Sequence, residues 1–225
     1  MTGVFVTATG TDIGKSFVTA GLVREMRHRG MAINALKPVV SGFNPGQAAG
    51  SDSGILLSAL GKKVTPETLD EISPWRFAAP LSPDMAAQRE GKTVDFDALI
   101  AFSRRAIDKA PDLTMIEGIG GVMVPLDEHH TVVDWIAVLA LPSLLICGSY
   151  LGTISHTLTT LDVLARRNIE VVAVIVNETP GSAVDLEETA ASLRRFAGPS
   201  PVISLPRLSP EETRHPALQR IADLL

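Results

Sequence analysis

Short runs of apolar, often β-branched residues recur along the chain, separated by longer segments whose apolar positions return every three or four residues. The runs at 4–7, 33–36, 113–116, 143–147, 170–176 and 202–205 predict strands. The segments 15–29, 53–60, 96–109, 132–140, 154–167 and 183–196, with a last one near 217–225, predict helices. Most strand runs are continuously apolar rather than alternating, the pattern of strands buried on both faces. Gly30, Gly61 and Gly198, with Pro111, Pro142 and Pro199, stand where helices should stop. Repetition of strand, crossover helix and strand predicts an α/β fold, a mostly parallel sheet flanked by helices on both faces. Its ligand is expected over the carboxyl ends of the strands. Residues 40–92 carry several Gly and Pro and read as loops and short helices closing one side of that site. No repeat or low-complexity linker divides the chain, so one domain spanning 1–225 is expected.

Composition narrows the picture. At 225 residues and 45% hydrophobic, the chain can bury a core, and aromatics at 4% argue against an aromatic-rich β-sandwich. A formal charge of −5 gives no bulk attraction for nucleic acid or an anionic membrane, so neither is an expected partner and any phosphate must be held locally. The N-terminus lacks a basic region and the longest apolar stretch is broken by Pro142, so neither a targeting peptide nor a membrane span is expected. Cys147 is the only cysteine and no Cys/His spacing suits zinc, which fits a cytoplasmic protein.

The first strand runs directly into Ala8-Thr9-Gly10-Thr11-Asp12-Ile13-Gly14-Lys15-Ser16 and then an apolar helix. The Gly-Lys-Ser ending at a strand–turn–helix junction is that of a P-loop. Backbone N–H groups there face phosphates, Lys15 reaches the β/γ oxygens and Ser16 is offered to Mg²⁺. The strict pattern asks for glycine where Thr9 stands, and Gly10 is expected to supply the unusual turn dihedrals instead. Lys37 ends the second strand, in Lys37-Pro38-Val39-Val40-Ser41-Gly42, where a second cation would neutralise charge during phosphoryl transfer. Glu117 ends another strand and leads into Gly118-Ile119-Gly120-Gly121, the place of an acid that holds Mg²⁺ directly or through water. Asp52 reads as an ordinary N-cap, and Asn177 reads equally as a turn asparagine.

Taken together, Thr11–Ser16, Lys37–Gly42, Ser51-Asp52, Glu117–Gly121, Asp134-Trp135, Leu151–His156 and Val176-Asn177 resemble dethiobiotin synthetase, in order and along nearly the whole chain. That family uses a longer, P-loop NTPase-like nucleotide loop. The resemblance implies ATP-dependent ring closure of 7,8-diaminopelargonic acid with CO₂ in a homodimer with shared active sites. It implies that Lys15 and Lys37 stabilise the γ-phosphoryl group and carbamate, that Ser16, Asp52 and Glu117 surround Mg²⁺, and that Thr11 and Ser41 touch substrate or phosphate oxygens. Thr11, Asp12, Ile13, Gly14, Lys15 and Ser16 would line the ATP site, with Asn177 on the adenine edge. Asp12 stands where relatives often carry Glu. The turn Leu151, Gly152, Thr153, Ile154 and Ser155 would receive the substrate carboxylate from the partner's site. A simpler reading of that turn is a helix start capped by Thr153 or Ser155.

Three departures from the family pattern are Ala8 for the opening glycine, expected to narrow backbone freedom, Tyr150 for a Lys of some relatives and Ser155 for an Asn. Three other functions compete. A nucleotide-switch ATPase would carry an extra early lysine, and no Lys lies between Met1 and Gly14. An amidating ligase would carry a glutaminase domain with a nucleophilic Cys, whereas Cys147 lies in an expected buried strand. A catalytically silent paralogue finds its support in Ala8.

Overall fold

A computed structural model describes residues 3–109, 112–208 and 214–225. Its main sheet contains β1 (Gly3–Ala8), β2 (Ile33–Leu36), β5 (Leu113–Glu117), β6 (Ser143–Gly148), β7 (Val171–Asn177) and β8 (Val202–Leu205). They lie in the order β2-β5-β1-β6-β7-β8, and every pairing is parallel. All residues of β1, β5 and β6 are buried, as continuous apolar runs require. Between the strands run α1 (Lys15–His28), α5 (Phe96–Lys109), α6 (Val132–Leu139), α7 (Thr153–Arg166) and α8 (Leu186–Arg194), and α9 (Pro216–Ala222) follows the last strand. On one face, Phe5 meets Trp135 edge-on at 4.9 Å, and the Trp135 indole N–H donates to Ser103 Oγ at 3.1 Å, which satisfies the one polar atom of a fully buried ring.

The region between β2 and α5 holds the expected loops and short helices, and adds a small sheet that was not expected. A 3₁₀ segment (Pro45–Gly50), α2 (Asp52–Ala59), α3 (Pro66–Ile72) and α4 (Pro83–Arg89) pack beside a separate two-stranded sheet, β3 (Val39–Val40) with β4 (Trp75–Arg76). Helix α8 is shorter at its start than the expected 183–196, because Asp185 caps it by accepting from the Glu188 N–H at 2.9 Å. Gly30, Gly61 and Gly198 have φ of 80°, 72° and 67°, the left-handed geometry expected just past helix ends. Pro111 lies outside the described residues. Among the described residues, no helix is long and apolar enough to cross a membrane.

Candidate active site

The strand order decides which side chains meet. β5 lies between β1 and β2, so Glu117 at its carboxyl end has the nucleotide loop on one side and the exit of β2 on the other. Ser16 Oγ donates to Glu117 Oε1 at 2.6 Å, and Lys37 Nζ donates to the same oxygen at 2.8 Å. Lys37 also donates to the Gly118 carbonyl at 2.8 Å and lies 3.1 Å from Asp52 Oδ2. Ser51 rather than Asp52 caps α2, accepting from the Gly54 N–H, so the capping reading of Asp52 gives way to an ion pair. Glu117 is fully buried, yet its Oε2 has no hydrogen-bond partner.

Lys15 folds back over its own loop, donating to the carbonyls of Gly10 at 2.8 Å and Gly120 at 2.9 Å. Burial first, then repulsion from Lys37, pulls its pKa from 10.5 to about 8, against the attraction of Glu117, Asp52 and Asp12. Lys37 is more deeply buried, which alone would lower it, but Glu117 and Asp52 more than offset this and hold it above the ordinary lysine value. Burial likewise pushes Asp52 upward, and Lys37 with the Ser16 hydroxyl outweighs it, leaving the carboxyl below its ordinary value.

The dihedral work of the nucleotide loop falls on other residues than expected. Gly10 has no positive φ and open space where a Cβ would stand; Asp12 (φ 57°) and Gly14 (φ 93°) are left-handed instead. Asp tolerates that region better than most residues. Ala8 takes ordinary strand geometry, paired with Ile146 on β6, so the restriction expected there does not arise. Gly14 leaves α1 without a side-chain cap, and Gly152 (φ 97°) leaves α7 without one. By contrast, Ser51, Thr65, Asp185 and His215 cap α2, α3, α8 and α9. Thr153 does not cap α7 as the simpler reading held: its hydroxyl donates backward to the Gly148 carbonyl at 2.8 Å. Two helices at the carboxyl edge thus present open N–H groups.

A cavity of about 690 Å³ opens above this floor. Thr11, Asp12, Gly14, Lys15, Ser16, Lys37, Ser41 and Asp52 line it, and Ser41 Oγ is buried there without a hydrogen-bond partner. Ile13 turns instead toward the core, and Asn177 donates to the Ile13 carbonyl from behind the loop. Leu151, Gly152, Thr153, Ile154 and Ser155 do not line the cavity, and Leu151 is 90% exposed. Sequence reasoning missed the apolar walls, including Phe17, Val40, Ile55, Leu81, Ile119 and Val124. Their one signal was position, since Val40 and Ile119 lie inside the motif segments. The histidines stay out of the site, with His130 stacked on Phe96 at 3.9 Å and held by Asp127. Tyr150 bonds His156 at 2.9 Å.

The donor set suits a hard cation. Glu117 Oε2 is an orphaned buried oxygen, and Ser16 and Asp52 add two further oxygen donors. Among the described residues no cluster of three His, Cys, Asp or Glu side chains forms a ready-made metal cage. Phosphate oxygens and water must then complete any shell, as is usual for Mg²⁺.

The lowered Lys15 has a consequence for binding. Between about pH 8 and 10.5 the unfolded chain keeps a proton on Lys15 that the folded chain releases, so this group's destabilising effect is full below about 8 and fades as pH rises through that window. A phosphate beside the amine favours the charged form and restores the proton. Nucleotide binding at about pH 8.5 is therefore expected to take up a large fraction of one proton, read by calorimetry in buffers of different ionisation enthalpy. Lys15→Met should abolish the uptake. Equal heats across buffers with the unsubstituted protein would rule out this role for Lys15.

Residues 2–212 match the family described as AAA domain. In overall fold the chain is similar to the cell division ATPase MinD of Pyrococcus furiosus, with a TM-score of 0.58, 14% identity and coverage of 100% of this chain and 97% of that one. The hydrogenase maturation factor HypB of Archaeoglobus fulgidus gives 0.56 at 12% identity over 99% and 89%. At such identities the likeness is one of fold. Sequence relatives are much nearer. The ATP-dependent dethiobiotin synthetase of Acidiphilium cryptum is 48% identical over 202 residues, 89% of this chain and 91% of that protein. The one from Phenylobacterium zucineum is 45% identical over 209 residues, 92% and 89% of the two chains. Identity of this order over nearly the full length establishes that the chain belongs to the ATP-dependent dethiobiotin synthetase family.

Proposed function

We propose that this chain, acting as a single domain within a cytoplasmic homodimer, converts 7,8-diaminopelargonic acid, CO₂ and ATP to dethiobiotin, ADP and phosphate. The observation that carries the reading is the convergence of two lysines, Lys15 and Lys37, at a cavity under the uncapped start of α1. One amine of the substrate adds to CO₂ and loses a proton, giving a carbamate. A carbamate oxygen attacks the γ-phosphorus as the bond to the ADP oxygen breaks, forming a carbamic–phosphoric anhydride. The second amine then attacks the carbonyl carbon, phosphate departs, and the cyclic urea closes with loss of a proton.

In this scheme the open N–H groups of α1 hold the phosphates. Lys15 exchanges a carbonyl partner for a phosphate oxygen. Lys37, fixed by Glu117 and Gly118, stays where negative charge gathers between carbamate and γ-phosphate. Thr11 and the unpartnered Ser41 hydroxyl orient carbamate or phosphate oxygens, and the apolar walls take the aliphatic chain and exclude water. Ser16, Asp52 and Glu117 would hold Mg²⁺, which supplies charge neutralisation on the β/γ-phosphates. The start of α7, at Leu151–Ser155, serves the substrate carboxylate of the partner's site.

Purified protein with diaminopelargonate, bicarbonate, Mg²⁺ and ATP should yield the mass of dethiobiotin. ADP without that product would favour a nucleotide switch, and no turnover a silent paralogue. Glu117→Gln should raise the Mg²⁺ concentration needed for half-maximal turnover by about tenfold or more, because the charge behind the buried, unpartnered Glu117 Oε2 is removed. An unchanged Mg²⁺ requirement in the folded variant would take Glu117 out of the metal site.

A further inference from the structure

Asn177 closes β7 and is paired with Gly148 of β6 and Leu205 of β8, so its backbone is fixed within the sheet. From there its Nδ2 donates to the Ile13 carbonyl at 3.0 Å, a contact across 164 residues of sequence. The same nitrogen fills the space that a Cβ on Gly14 would need, and Gly14 has φ 93°. The pair is therefore mutually fitted: the loop has a glycine where the amide group presses against it.

The peptide joining Ile13 to Gly14 is planar and trans, so its C=O and N–H point in opposite directions. Asn177 holds the C=O on the side of β7, whereas Gly14 lines the cavity and Asn177 does not. We propose that Asn177 is a positioning residue for the nucleotide loop, holding the Ile13 carbonyl away from the cavity so that the Gly14 N–H faces it. Without that contact the peptide can flip, because glycine adopts either backbone state at little cost. A flip removes a phosphate donor and presents a carbonyl oxygen to the phosphate instead. With the amide N–H engaged on Ile13, the Asn177 Oδ1 remains available as an acceptor. The proposal rests on reading the cavity as the site of ATP phosphates.

Asn177→Ala and the similarly sized Asn177→Leu test it, with thermal unfolding confirming that each variant is folded. Calorimetry with Mg²⁺-tripolyphosphate, which has no base, separates phosphate binding from base binding. Both variants should bind tripolyphosphate about tenfold more weakly, the scale of one lost hydrogen bond. The KM for ATP should rise by a similar factor while kcat changes less, a split that mere loss of folded protein would not produce. Unchanged tripolyphosphate affinity in a folded variant, with ATP weakened, would assign Asn177 to the base alone and overturn the proposal. Failure of the unsubstituted protein to bind either ATP or tripolyphosphate would overturn the phosphate-site reading itself, and the positioning role with it.

Discussion

Replacement of Lys37 by glutamine is expected to slow turnover by about two orders of magnitude or more while leaving nucleotide binding largely intact. The division follows from where each lysine is anchored. Lys15 belongs to the nucleotide loop and is held by Gly10 and Gly120, whereas Lys37 arrives from β2 and is held by Glu117, Gly118 and Asp52. Glutamine retains an N–H donor on a side chain one bond shorter and loses the charge, so the loss should appear in kcat more than in the KM for ATP. Near-normal turnover in a folded Lys37→Gln protein would remove Lys37 from the chemistry.

The same substitution has a signature in stability. Lys37 is 2% exposed and Glu117 fully buried, so removing the ammonium leaves a buried acid without its ionic partner. Asp52, held below its ordinary value by Lys37 against the opposing effect of burial, contributes stability above its unfolded pKa and loses it as pH falls through the lower folded one. The gap in unfolding midpoint between the parent and Lys37→Gln should therefore be widest near neutrality and narrow in acid. A constant gap would mean that Asp52 draws nothing from Lys37.

The parts of this site legible in the sequence were those written locally. A buried parallel strand is a continuous apolar run, and a charged residue at its end, such as Lys37 or Glu117, stands out against it. The Gly14-Lys15-Ser16 turn is likewise contiguous. What stayed hidden depends on sheet order, which brings Ser16 and Lys37 to the same oxygen of Glu117 from opposite sides. The β3–β4 pair was hidden for another reason: two residues per strand carry no readable period. Helix α3 did have a local signal, Thr65-Pro66 followed by Thr68, which the structure resolves as reciprocal capping. Gly10 misled because glycine permits unusual dihedrals without requiring them; here Asp12, a residue that tolerates them, adopts one.

The second large effect concerns two chains rather than one. Leu151 is 90% exposed at an uncapped helix start outside the cavity. In the proposed dimer this turn would reach the partner's cavity, cover Leu151 and set the open N–H groups against an anion at the far end of the substrate chain. Each site would then take Lys15, Lys37, Asp52 and Glu117 from one subunit and the turn from the other. Gly152→Glu should disable the turn twice over. Gly152 has φ 97°, where a side chain is strained, and the new carboxylate would occupy the N–H groups meant for the substrate's. Homodimers of Lys37→Gln or of Gly152→Glu should each be nearly inactive. In a mixed dimer, one site combines both faults and the other combines the intact Lys37 of one chain with the intact turn of its partner. Turnover per verified heterodimer should therefore recover to about half that of the parent dimer, a rise of well over tenfold above either homodimer if the Lys37 loss is on the expected scale. If verified heterodimers stay as inactive as their parents while each variant still dimerises, the substrate carboxylate is held within one subunit and the shared site is wrong.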